Sequence, residues 1–189
     1  ASLLAAGAVF ADKTAEELCE KASILLQKDE FKESEKTLLK ALNIELKKYG
    51  TKSSQAARSQ LVQAQIMFYQ GKYDFALNLA KSSLNILGDI HGSNSLEAAK
   101  AGYILAELFL KTGQVIKAEA TIRKTLSIQL DKAPQSPATA AGRILLAEIL
   151  SLKDQYKAAL TELDKAAKVL KPDAPEMVQC QVVYSEVYR

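Results

Sequence analysis

Tryptophan is absent from these 189 residues, and all aromatics together make up only 6%. A core with so few large rings has to be built from Ala, Leu, Ile and Val, which suits close helix packing better than a β-sandwich. Cysteine is nearly as scarce, with Cys19 and Cys180 near opposite ends. In an elongated stack they lie too far apart to bridge, since a disulfide needs its Cα atoms within about 7 Å. Two unpaired thiols fit a reducing compartment, so a cytoplasmic location is expected. His91 is the one histidine. It stands beside Gly92 with no second His or Cys nearby, which reads as a polar loop residue and gives no reason to expect a metal or other cofactor. No stretch reaches the roughly twenty apolar residues of a membrane span.

Charge of one sign is missing too. The 25 basic and 22 acidic residues are intermixed and leave a net +3. Without a concentrated basic face, nucleic acid is not an expected partner. The sequence has no GxSxG elbow, no phosphate-cradling glycine loop, and no Cys and His placed to converge, so no enzymatic activity is expected. Hydrophobic residues nevertheless form 48% of the chain and charged ones 25%, a balance that argues for a folded protein.

Residues 1–13 form an apolar segment opening with ASLLAAGAVFA. That run resembles the apolar core and small-residue cleavage site of a secretory signal, but initiator Met and basic leader residues are lacking. It reads as a short helix that caps the first hairpin or closes an upstream repeat; export follows only if residues 1–11 are a signal. At the other end the chain stops at Arg189 within the helical pattern EMVQCQVVYSEVYR, as a fragment of a longer protein would.

What is present is a recurrence. One helix-hairpin pattern returns four times, and its second helix opens at Phe31, Tyr73, Val115 and Tyr156, in steps of 42, 42 and 41. A period in this range marks stacked supersecondary units, none of which buries its apolar face alone. The array spans 14–188, with repeats at about 14–50, 54–89, 95–131 and 137–171 and a half-repeat at 175–188. All four prolines (Pro134, Pro137, Pro172, Pro175) fall between repeats, where they spare helix interiors a cost of about 3 kcal/mol. Gly71 and Gly113 occupy the tight turn inside two hairpins, and Asp29 and Asp154 the same slot in the others. Gly50, Gly88 and Gly92 are assigned to longer loops, while Gly102 and Gly142 lie within first helices, where a neighbouring helix comes close.

Small residues recur in register. Nine before each opener stand Ala22, Ala64, Ala106 and Ala147, matched by Ser185 in the half-repeat. Three after it come Ser34, Ala76, Ala118 and Ala159, and ten after it Ala41, Ser83, Thr125 and Ala166. Larger residues fill the gaps: Leu25, Met67, Phe109 and Leu150 from first helices, and Leu38, Ile122 and Leu163 from second helices. With this alternation the chain resembles the tetratricopeptide repeat family, whose unit is about 34 residues. The longer step and loops such as Leu87-Gly88-Asp89-Ile90-His91-Gly92 resemble the variant of kinesin light chains and related cargo or polarity adaptors. The fold so implied is all-α, an α–α superhelix of four helix hairpins plus a terminal helix.

By the same resemblance, first helices line a concave groove that holds a partner. The residues it assigns there are Arg58, Leu61, Gln65, Phe68 and Tyr69, then Lys100, Tyr103, Glu107 and Lys111, then Ile144 and Glu148, with Glu16, Cys19 and Ser23 at the first repeat. An aromatic centre rimmed by mixed charge has the composition of an interface core; Phe68, Tyr69 and Tyr103 are the preferred anchors, with packing between repeats as their alternative role. The Lys/Asn/Arg clamp of chaperone-binding members is missing, since Cys19, Ser23, Tyr103 and Glu107 stand in its places. The asparagines of kinesin-light-chain-like members are missing too, the matching pairs being Cys19-Glu20, Leu61-Val62, Tyr103-Ile104 and Ile144-Leu145. The expected function is a protein–protein interaction scaffold with a peptide or helix as partner; the alternatives are a structural segment of a large fixed assembly and a peptide-sensing regulator.

Overall fold

The backbone is described for residues 2–188 and the side chains for 14–188 in a computed structural model. Among the described residues there are nine helices and no strands. They fall into two compact units, Ala1–Ser93 and Asn94–Arg189. The first holds α1 (Ser2–Gln27), α2 (Phe31–Tyr49), α3 (Ser54–Tyr69) and α4 (Tyr73–His91). The second holds α5 (Leu96–Lys111), α6 (Val115–Lys132), α7 (Pro137–Ser151), α8 (Tyr156–Ala167) and α9 (Pro175–Val187). The apolar segment at 1–13 lies outside the residues whose side chains are described, although its backbone from Ser2 onward belongs to α1.

Each second helix starts at the residue the period singles out: Phe31, Tyr73, Val115 and Tyr156. The turn before it is the same in all four hairpins. Asp29, Gly71, Gly113 and Asp154, each two residues before an opener, have φ between +59° and +76°. The chain then closes on the preceding helix through paired bonds, such as Gly113 N to Leu110 O at 2.9 Å and Gln114 N to Phe109 O at 2.8 Å. This left-handed cap satisfies the last carbonyls of the first helix and costs glycine little, whereas at Asp29 and Asp154 it strains an L side chain by about 1 kcal/mol.

The first helices are stopped and started differently. Ser53, Ser95 and Ser136 cap α3, α5 and α7, accepting from Ala56 N, Ala98 N and Thr139 N at 3.1–3.2 Å. A side-chain acceptor there satisfies one of the orphan amides at the helix start and contributes about 1 kcal/mol. Glu30, Lys72, Gln114 and Gln155, before the second helices, make no such bond.

The twelve small residues of the four hairpins are all buried, and only Ser185 of α9 is exposed. Ser34 shows what smallness allows: its hydroxyl donates to Ala22 O at 2.7 Å, joining α2 to α1 at a buried crossing. Within the first unit α1 packs on α2, α2 on α3 and α3 on α4; within the second, α7 is enclosed by α6, α8 and α9. Gly102 and Gly142 sit where a neighbour comes close. A Cβ on Gly102 would meet Thr125 Oγ1 at 2.3 Å, and one on Gly142 would meet Gln129 Oε1 at 2.6 Å.

Two assignments are corrected. Gly88 and His91 belong to α4, which runs on to His91, and not to a loop. The buried Leu87 anchors this last stretch of α4 in the core, which outweighs the roughly 1 kcal/mol that one helical glycine costs. His91 Nε2 also meets Ser54 Oγ at 2.8 Å, tying the end of α4 to the start of α3.

Candidate partner-binding site

In the second unit, α5 and α7 touch and bring four of the assigned residues together. Tyr103 is half-buried on α5, one turn before Glu107 and two before Lys111. The Lys111 ammonium lies 3.9 Å from Glu107 Oε1. Glu148 on α7 has no hydrogen bond or ion pair within reach, though the charges of Lys111, Glu186 and Glu107 act on it. Burial pushes the carboxyls of Glu107 and Glu148 above the usual range, with Lys111 pulling the other way. The Tyr103 hydroxyl is pushed up as well, by burial first and then by Glu107, Glu148 and Glu176. A half-buried ring thus lies among carboxylates that are incompletely paired. Lys100, on the same helix, is exposed.

A carboxyl whose folded-state pKa lies above its unfolded value leaves the folded chain holding more protons between the two. Its contribution to stability therefore falls as pH rises through that window and recovers on acidification. Glu148→Gln is accordingly expected to raise the melting temperature relative to the parent at pH 7, with the gap closing towards pH 4. A gap of the same size at both pH values, read by circular dichroism, would show that desolvation of this charge is irrelevant.

In the first unit Arg58 is exposed and Gln65 half-buried on α3. Phe68 and Tyr69, also on α3, join an aromatic cluster at the turn end of the hairpins. The Phe31 and Tyr69 rings are 4.8 Å apart, Phe68 and Tyr69 5.6 Å, and Phe68 and Tyr73 5.1 Å. Tyr69 keeps 51% of its surface while stacking on the opener of α2. These rings staple the end of α3 to the starts of α2 and α4, a packing role that leaves one face of Tyr69 outside.

Two assigned residues offer no surface. Leu61 is 5% exposed and Ile144 is 0% exposed, so both are core side chains. Register places them level with Tyr103, but α7 is covered on several sides and its Ile144, Leu145, Leu146, Ile149 and Leu150 are all buried. A position left half-exposed in one repeat is filled by neighbouring helices in another.

Sequence reading passed over Glu45 and Ser59, both buried polar residues of the first unit. The register held the signal. Fourteen residues after the opener the four repeats carry Glu45, Leu87, Gln129 and Leu170, all buried. In the two polar cases, Glu45 Oε2 and Gln129 Oε1 find no hydrogen-bond partner.

Comparison with known proteins decides the class. Residues 14–89 match the family model of the tetratricopeptide repeat. That stretch carries tetratricopeptide repeats. Among solved structures it is similar to a kinesin light chain with nearly identical tetratricopeptide-like repeats from Podosopora anserina, 20% identical, with a TM-score of 0.72 over 94% of this chain and 86% of that one. It is also similar to BtubC (BKLC) from P. vanneervenii, 15% identical, with a TM-score of 0.69 over 96% and 83%. No curated protein matches the sequence. At these identities the likeness speaks for the fold: all-α, the α–α superhelical class of the tetratricopeptide repeat. Tetratricopeptide arrays are in general protein-interaction scaffolds. Among the described residues, no helix is long and apolar enough to cross a membrane, and no group of three His, Cys, Asp or Glu is placed to hold a metal ion.

Proposed function

We propose that this tetratricopeptide protein binds a peptide or a helix of a partner protein on the first-helix face of its second unit. The observation that supports the reading is the grouping of Tyr103, Glu107, Lys111 and Glu148 on α5 and α7. A tyrosine offers a large contact at small entropic cost, and carboxylates left without full pairing favour a partner segment that supplies donors or positive charge. Peptides selected on the full chain from a displayed library should be enriched in Lys or Arg beside an apolar residue. Tyr103→Ala is expected to weaken such a peptide about tenfold or more, as loss of an interface anchor does. Equal affinity of parent and variant, by fluorescence polarisation, would remove the α5/α7 face from consideration.

A further inference from the structure

A second polar feature lies wholly within the first unit, where α1, α2 and α3 meet. It is a chamber of about 370 Å³ whose walls include Glu16, Cys19 and Glu20 of α1, Glu45 and Tyr49 of α2, and Arg58 of α3. Three carboxylates against one guanidinium leave it net negative. Its deepest charged group is Glu45, only 3% exposed, and Glu45 Oε2 has no hydrogen-bond partner. Behind it is Ser59, fully buried, whose hydroxyl faces the Glu45 carboxyl without lining the chamber.

An unpaired buried acceptor destabilises the fold, and more so when it is charged. One such carboxylate oxygen in the wall of an open chamber forms a site made for donors. The corresponding place in the second unit is closed: Gln129 Oε1 lies against Gly142, with no room for even a Cβ. In the first unit the slot holds Glu45, and a chamber stands there. The volume is at the low end of what small-ligand sites occupy, about 300–1,000 Å³. The nearby Cys19 thiol is held neutral by burial and serves as a soft wall, not as a nucleophile.

We propose that this chamber binds a single guanidinium group, from a free small molecule or from an arginine side chain of a partner. Guanidinium is planar and permanently charged, and it presents five donors and no acceptor. It can donate to Glu45 Oε2 while its charge answers the carboxylates at the mouth. A neutral amide of the same shape has too few donors and no charge for this. The site is separate from the α5/α7 face, so either assignment can fail without the other.

The test is a titration of the full chain by amide NMR, with agmatine, N-acetyl-arginine amide and, as neutral isostere, N-acetyl-citrulline amide. Agmatine should saturate with one site per chain, its shifts centred on Cys19, Glu45 and Ser59. Citrulline amide should bind at least about tenfold more weakly, and Glu45→Gln should cost agmatine a similar factor. Should that variant fail to fold, Cys19→Met fills the chamber from α1 without touching the carboxylate and should also weaken binding. Saturation by agmatine alone assigns a free small molecule; saturation by the arginine amide as well assigns a side chain. The proposal is overturned if shifts spread over acidic surface without saturating, if citrulline binds equally, or if these residues do not respond because the chamber holds only water.

Discussion

Replacing Ile144 with Ala is expected to destabilise the second unit by about 3 kcal/mol, within the range of about 2–5 kcal/mol for truncating a buried aliphatic chain. The side chain has no exposed surface and lies on a helix packed against α6, α8 and α9. Truncation removes apolar contact on several sides, and helices pinned by short turns cannot close the gap. Glu148→Gln, one turn along the same helix, should raise stability at pH 7, because it removes a desolvated charge without a close partner. Urea denaturation followed by circular dichroism separates the two. An Ile144→Ala variant within about 0.5 kcal/mol of the parent, the usual range for surface changes, would return that residue to the surface.

Gly102→Val should cost about 3 kcal/mol, for a different reason. The backbone of α5 approaches α6 so closely that a single added carbon would lie 2.3 Å from Thr125 Oγ1. Thr125 is itself buried and β-branched, so its rotamers give little relief. The diagnostic variant is Gly102→Ala combined with Thr125→Ala. Removing the hydroxyl leaves Thr125 Cβ at 3.6 Å from the new carbon, an ordinary contact. The double variant should then gain about 1 kcal/mol from replacing a helical glycine, while Gly102→Ala alone should lose stability. If the two substitutions simply add in thermal melts, the helices are not held apart by this contact.

The parts of the fold legible from sequence are those that geometry repeats. A left-handed residue two places before each opener and small residues at three offsets are demanded by turn and crossing, whatever the ligand, so they recur. The surface was harder to read. Leu61, Tyr103 and Ile144 share a register position, yet Leu61 and Ile144 are core while Tyr103 is half-buried. What decides is how many helices cover the position, and α7 has neighbours on three sides. Phe68 and Tyr69 were visible as aromatics, but their use as a staple between hairpins depends on Phe31, 38 positions from Tyr69 in sequence and 4.8 Å from it in space. Glu45 escaped because a buried carboxylate looks, in one dimension, like any glutamate on a solvated face.

The slot fourteen residues past each opener has one more consequence. It is buried in every repeat, but it carries neither the left-handed turns nor the serine caps that fix where the helices begin and end. Leu, Gln and Glu all occur there in a single chain without disturbing the hairpin that bears them. Such a position is free to diversify: one codon change can open, line or fill an internal chamber while the architecture around it stays the same. A repeat built this way can acquire small-molecule recognition by point mutation inside the stack, independently of how its outer surface comes to recognise proteins.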